Sequence, residues 1–149
     1  MPKKSNNPEK KITLTMLAKD VLKWLKPGSK IRIVPKFAHG YVGSYGDAGD
    51  VQKHVKAGKP CAVCGIGALA VAAAVRIDSL KFNDFDPMNE LLREACVDLI
   101  GLTNEQAGNI EGAFELGGGL ANPARSAKGR LKQICENILK NKGEFVKVK

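Results

Sequence analysis

The sequence predicts a mainly α fold, a single domain built as a bundle of about five helices around a buried Ala/Gly-rich helix, with a minor β element. Apolar residues recur at helical spacing in several segments, GIGALAVAAAV at 65–75 holds only small and apolar residues, and only one short stretch alternates as a strand does. At 149 residues the chain can bury one sizeable core. We expect a disordered basic N-terminus over residues 1–11 and one helical domain over residues 12–149.

The first helix is predicted to begin after Thr13 and to run to about Lys26. Thr13 is of the residue type that caps helices, and Pro27-Gly28 is a dipeptide that ends them. One face of this helix is apolar, and it comprises Leu14, Leu17, Val21, Trp24 and Leu25. That face is expected to pack into the core.

A short strand and a loop are predicted next. In KIRIVPKF, residues 30–37, Ile31 and Ile33 alternate with polar neighbours, which is typical of a half-buried strand. Pro35 limits its length because proline cannot donate to the ladder. The stretch AHGYVGSYGDAGD at 38–50 is rich in glycine, which predicts a long loop.

The buried helix is predicted to begin at Cys61 or Cys64 and to end near Ile77. Because it is apolar nearly all round, it should lie inside the bundle. The next helix, over residues 87–99, has Asp86 as its cap and a proline at its first position.

Two further helices are predicted in the last third of the chain. Thr103 with Gln106 predicts a capping box for the first of them. Asn122-Pro123 is predicted to begin the last helix, which runs to about Asn141 and ends before a glycine. Its apolar stripe comprises Leu131, Ile134, Cys135, Ile138 and Leu139. The final EFVKVK is predicted to form a short strand or a docked tail.

The charge distribution indicates the partner's chemistry. The net charge is +9, made of +8 over residues 1–36, −5 over 37–124 and +6 over 125–149. Basic ends around an acidic middle favour an anionic partner, whether a nucleotide, a nucleic acid or a host protein. The alternative is a solvated surface whose opposite blocks attract each other, within one chain or between protomers of a homo-oligomer. Without an apolar run for a membrane span or a signal peptide, we expect a cytoplasmic protein, in the host cell if it is phage-encoded.

The four cysteines divide into a buried pair and a spaced pair. Cys96 and Cys135 lie on apolar helical stripes, so core packing is expected for both. Cys61 and Cys64 form C-x-x-C, which supplies half of a zinc site, and the chain has only two histidines, both upstream. The α/β alternation of a thioredoxin-like unit is missing. The sequence therefore predicts neither a metal site nor a cofactor.

Cys64 is a weak candidate for a catalytic nucleophile. A thiol at a helix N-terminus has its pKa lowered by the helix dipole. Such a thiol also requires a base, for which His39, His54 or the pair at 83–84 are the candidates. The structural alternative is that both spaced cysteines are small residues at the start of a tightly packed helix.

The segment LGGGLANPARSAKGRLK, residues 116–132, suggests an anion site. Three glycines precede a predicted helix N-terminus, where free N–H groups and a positive dipole end favour phosphate. The candidate ligand-binding residues are Gly118, Gly119, Arg125, Lys128 and Arg130, with Tyr41 and Tyr45 of the upstream loop as stacking platforms. A second basic stripe comprises Lys19, Lys23 and Lys26. The alternative is a flexible hinge followed by a solvated basic helix.

Two short motifs lie on the predicted buried helix and shortly after it. Residues 64–69 match C-x-x-G-A-L, and residues 82–84 match an aromatic-Asn-Asp turn. On these motifs rests a resemblance of residues 12–115 to an uncharacterised family of small phage and bacterial helical proteins. It implies a phage-associated helical domain and supplies no activity. Three hypotheses follow: a non-enzymatic phage-type accessory or anti-defence protein that binds an anionic partner, a cysteine-dependent hydrolase or transferase centred on Cys64, and a structural or assembly protein.

Overall fold

The computed structural model describes residues 13–36, 53, 56–76 and 102–148. These residues form four helices and a two-stranded sheet: α1 Leu14–Leu25, β1 Ile33–Pro35, β2 Cys61–Val63, α2 Gly65–Arg76, α3 Asn104–Leu116 and α4 Ala127–Lys140. The mainly α class with a minor β element is therefore confirmed. The predicted fifth helix at 87–99, the basic N-terminus and the 38–50 loop lie outside the described residues.

Helix α1 has the predicted bounds and the predicted buried face. Thr13 caps it, since its Oγ1 accepts a hydrogen bond from the Met16 N–H at 3.3 Å. Leu17, Ala18 and Val21 are fully buried. The helix forms where it does because a capping residue, a 3.6-residue apolar period and a terminal Pro-Gly all agree.

The two strands pair in parallel, with Ile33 opposite Cys61 and Pro35 opposite Val63. The Cys61 N–H donates to the Arg32 carbonyl at 2.9 Å. A strand within KIRIVPKF is thus confirmed, whereas a helix beginning at Cys61 is wrong. Cys61 belongs to β2 because its backbone is paired with a distant segment, a contact that local spacing does not encode.

Helix α2 is the buried Ala/Gly-rich helix that the sequence predicts. Every residue from Ile66 to Ala73 is buried. Its first residue, Gly65, lies so close to α3 that an added Cβ would stand 3.1 Å from the Phe114 Cβ. At its other end Arg76 donates to both carboxylate oxygens of Asp20 on α1, at 2.6 and 3.0 Å.

Helix α3 begins with half of the predicted capping box. The Thr103 Oγ1 accepts from the Gln106 N–H at 3.0 Å. The Gln106 side chain turns to the C-terminal tail, where it accepts from the Phe145 N–H and donates to the Phe145 carbonyl, both at 2.8 Å. The side-chain amide of Gln106 thus holds Phe145, which lies 39 residues further along the chain.

Helix α4 begins later than Asn122-Pro123 predicts. Ser126 is its cap, and the Ser126 Oγ accepts from the Gly129 N–H at 3.0 Å. The preceding segment is held outside the helix by Gln133, which accepts from the Ala124 N–H at 2.8 Å and donates to the Asn122 carbonyl at 3.0 Å. This anchoring competes with helix formation, so the predicted start is wrong.

The chain after α4 is a docked tail, the second of the two predicted forms. Lys142 has a positive φ of 59°, and the Gly143 N–H donates to the Ile138 carbonyl at 2.8 Å, which is the Schellman way of ending a helix. Asn137 then holds Val146 by donating to its carbonyl at 2.7 Å and accepting from its N–H at 2.8 Å.

The helices close a ring around one core. Helix α4 packs on α1 and α3, α2 packs on the same two helices, and β1 contacts both α2 and α4. The largest fully buried side chains are Phe114, Phe145, Leu17, Ile66, Leu69, Ile110, Leu131, Ile134, Ile138 and Val21. The predicted burial of Cys135 is confirmed, whereas Cys96 lies outside the described residues.

Candidate anion-binding site

A cavity of ≈ 400 Å³ lies between the turn after α1 and the N-terminus of α4, and we call it the basic cavity. Three cationic side chains line it, Lys26, Arg32 and Lys128, and all three residues are exposed. Trp24, the only tryptophan of the chain, lines it as well. The three cations come from the α1 cap, the segment before β1 and the first turn of α4.

A second cavity of ≈ 410 Å³ adjoins the first, and we call it the apolar cavity. Leu22, Leu25 and Pro27 form its apolar lining. Its polar lining comprises Lys26, Lys128, Lys132 and Glu136. Four residues line both cavities: Leu25, Lys26, Pro27 and Lys128. The two spaces are therefore parts of one groove between α1 and α4.

The turn after α1 builds one side of the groove. Pro27 cannot continue the helix, and Gly28 takes a φ of +83°, which reverses the chain with little strain. The Ser29 Oγ then donates to the Ile31 carbonyl at 2.6 Å. This reversal brings Arg32 to the same cavity as Lys26, from which it is separated by five residues in the sequence.

The groove is strongly positive. Residues 21–36 and 121–135 contain no Asp or Glu. Lys128 lies in the first turn of α4, where the helix dipole is also positive and where no acidic residue offsets it. Glu136 pairs with Lys132 at 3.6 Å, but both side chains are more than half exposed, so this pair offsets little of the field. An anion in the basic cavity would relieve this repulsion.

Among the sequence-predicted residues, Lys128 lies in the groove and Arg125 does not. Arg125 is exposed in the segment before α4 and is absent from the described lining of both cavities. The two residues are three apart in the sequence, but the late start of α4 leaves Arg125 outside the helix. The structure therefore does not bring them onto one helical face.

The Arg130 side chain has a structural role, because it donates hydrogen bonds to backbone carbonyls. Its Nε donates to the Ala124 carbonyl at 2.7 Å, and its guanidinium donates to the carbonyls of Phe114 and Glu115 at 3.2 and 2.9 Å. Those carbonyls lie in the last turn of α3, where the helix dipole is negative and a cation is favourable. Arg130 thus ties α4 to the end of α3.

The glycines at 117–119 form a turn. Gly117 caps α3 with a φ of 78°. Gly119 has a φ of +81° and its carbonyl accepts from the Val148 N–H at 2.7 Å, so an added Cβ would meet Lys147 at 2.7 Å. Gly118 is exposed, with no described atom within 4 Å of an added Cβ. The end of α3 thus accounts for the glycine at 117, and the docked tail accounts for the glycine at 119.

The other sequence-predicted positions fall in two groups. Tyr41, Tyr45, His39 and His54 lie outside the described residues. Cys64 is described: it is 3% exposed, and its Sγ accepts from the Gly67 N–H at 3.2 Å as the cap of α2. Burial raises the pKa of the Cys64 thiol to about 11, and burial also raises the pKa of Cys61 to about 12. Neither thiol is activated at neutral pH.

In the described part of the chain, no group of three or more His, Cys, Asp or Glu residues is arranged to hold a metal ion. Within the same ranges, no helix has the length and apolar content needed to cross a lipid bilayer.

Sequence reasoning missed Arg32 as a site residue and treated Lys26 and Lys128 as members of separate stripes. The available signal was the order helix, Pro-Gly reversal, then a basic residue close behind, which returns a cation to the end of its helix. What the sequence could not supply is the packing of α1 on α4. Comparisons with protein-family models, curated proteins and solved structures found no match to this chain.

Proposed function

We propose that this chain is a non-enzymatic, phage-type accessory protein that binds an anionic partner in the basic cavity. The observation that carries the proposal is the meeting of Lys26, Arg32 and Lys128 around one concave space. The phage-type assignment and an anti-defence role in the host cytoplasm are supported by the motif resemblance at residues 64–69 and 82–84.

The electrostatics favour an anion over a merely solvated basic surface. Solvated lysines spread apart because like charges repel, whereas these three cations line a common cavity that also holds the positive end of α4. Cationic side chains around a concave surface concentrate anions and steer them inward. The expected partner carries at least one phosphate or carboxylate group.

The cysteine-dependent enzyme is less well supported. A nucleophilic thiol requires exposure and a lowered pKa, whereas Cys64 is buried and its pKa is raised. The assembly protein remains a separate prediction, and a mass that rises with concentration in light scattering would favour it.

Charge reversal at two nearby positions tests the proposal. Lys128→Glu and Arg125→Glu change the net charge equally, but only Lys128 lines the groove. Binding of pyrophosphate is followed by the fluorescence of Trp24. Because a hydrogen bond to a charged group contributes roughly 1.5–3 kcal/mol, Lys128→Glu is expected to weaken binding by about tenfold or more, and Arg125→Glu by far less.

The same two variants can also contradict the proposal that the basic cavity is the binding site. Equal losses in both variants, with folded proteins by circular dichroism, would show that only overall charge matters and would remove the basic cavity as a site. If the unmodified protein binds neither pyrophosphate nor any nucleotide or oligonucleotide, the anion-binding function itself is wrong.

A further inference from the structure

We infer that the groove between α1 and α4 binds one nucleotide unit, with its phosphate in the basic cavity and its base in the apolar cavity. The inference rests on the proposed function and specifies the ligand. It follows from the chemistry of two adjoining spaces. Both are lined by Lys26, Lys128, Leu25 and Pro27, whereas Arg32 lines only the basic cavity and Leu22 only the apolar cavity.

The basic cavity alone would bind any anion, so the apolar cavity determines which anionic ligand binds more tightly. An inorganic phosphate would leave water in the apolar cavity of ≈ 410 Å³, in contact with Leu22, Leu25 and Pro27. A ligand with an apolar body attached to its phosphate would displace that water and gain affinity. Leu22 is half-buried, so part of its surface remains to be covered.

The shared boundary fixes how far apart the two parts of the ligand can be. Lys26 and Lys128 line both cavities, so a phosphate bound to them lies beside the apolar cavity. The ligand therefore has its anionic group and its apolar body close together in one molecule. A nucleotide meets this requirement, since one sugar separates the phosphate from the base.

The polar lining of the apolar cavity favours a base over a hydrocarbon chain. Besides Lys26 and Lys128 it comprises Lys132 and Glu136, which pair with each other at 3.6 Å while largely exposed. An ammonium donates to the carbonyl or ring nitrogen of a base, and a carboxylate accepts from an exocyclic amine. A fatty acyl chain offers neither partner, whereas a base has an apolar face and a polar edge.

The same nucleotide chemistry can come from a free nucleotide or from a single strand. A single strand adds phosphates on either side of the bound unit, and Lys30 and Lys36, close to Arg32 in the sequence, are exposed cations. Affinity for a strand should then exceed that for a monophosphate and should fall steeply with salt. A free nucleotide should show a shallow salt dependence and no gain from chain extension.

The central comparison of the test is between a nucleoside monophosphate and ribose 5-phosphate, which lacks the base. Trp24 fluorescence titrations use pyrophosphate, ribose 5-phosphate, the common nucleoside 5′-monophosphates and a short single-stranded oligonucleotide. At least one monophosphate is expected to bind about tenfold more tightly than ribose 5-phosphate, because only the nucleotide fills the apolar cavity. Ribose 5-phosphate binding as tightly as every nucleotide would overturn the inference and leave the proposed function standing.

A pair of variants localises the effect. Leu22→Gln makes the apolar cavity polar, and Leu139→Gln is the matched control, since Leu139 is also a half-buried helical leucine but lines neither cavity in the described residues. Leu22→Gln is expected to abolish the preference for the nucleotide over ribose 5-phosphate and to leave pyrophosphate affinity within about twofold. A preference that survives in Leu22→Gln overturns the inference, whereas an unmodified protein that binds none of these ligands, pyrophosphate, nucleotides or oligonucleotide, overturns the proposed function.

Discussion

Two opposed effects act on the pKa of a single residue, the Cys64 thiol. Its place at the start of α2 is the one where a helix dipole lowers a thiol pKa. Burial acts in the opposite direction and is the larger effect, because the side chain is removed from water on every side. The pKa of Cys64 is therefore raised to about 11, and the Sγ serves as the hydrogen-bond acceptor that caps α2.

This raised pKa predicts a loss of stability at alkaline pH. The unfolded thiol ionises near pH 9.0, whereas the folded thiol stays protonated to about pH 11. The stabilising contribution is therefore complete below pH 9.0 and is lost as pH rises toward about 11. Urea unfolding of the reduced protein between pH 8 and 10.5 measures it. Cys64→Ser keeps an acceptor but does not titrate there, so it should lose roughly 1–2 kcal/mol less over that range.

A wild-type protein and a Cys64→Ser variant with parallel stability curves over this range would contradict the burial of the thiol. Rapid alkylation of Cys64 in the native protein at neutral pH would do the same, and it would return the cysteine-dependent enzyme to consideration.

Among the helices and strands, local sequence signals were sufficient to predict α1 but insufficient to predict β2 and the start of α4. Thr13 and the apolar spacing define α1 within the sequence itself. Strand β2 was missed because Cys61 is placed by pairing with β1, far upstream. The start of α4 was missed because Gln133 and Arg130, within the helix, hold the preceding segment in a non-helical form. The groove depends on α1 packing against α4, which no local pattern encodes.

The close approach of α2 to α3 gives a stability prediction at this scale. An alanine Cβ at Gly65 would stand 3.1 and 3.2 Å from the Cβ and Cγ of the fully buried Phe114. Gly65→Ala should therefore lower the free energy of unfolding by about 1–3 kcal/mol, since the added methyl group has to displace a fully buried Phe114 side chain. Chemical denaturation at neutral pH measures the change.

Gly112→Ala is the matched control on α3. An added Cβ there meets nothing within 4 Å in the described part of the chain, so only helix propensity changes. This variant should gain about 0.5–1 kcal/mol. If the two variants change stability in the same direction by similar amounts, the tight contact between Gly65 and Phe114 is wrong.

In the whole molecule, the packing of the helices brings together residues from two basic blocks that lie far apart in the sequence. Residues 1–36 carry +8 and residues 125–149 carry +6. Helix α1 belongs to the first block and α4 to the second, and these two helices pack directly on each other. Their cations therefore meet in one groove with Arg32, and Glu136 is the one acidic residue in the described lining of that groove.

The most direct test of the central claim is the map of amide chemical shifts in isotope-labelled protein as pyrophosphate is added. Anion binding in the basic cavity predicts the largest shifts at Lys26 to Arg32 and around Lys128, saturating together with a single dissociation constant. Shifts concentrated instead at Gly118, Gly119 and Arg125, or no saturable shifts at any residue, would contradict it.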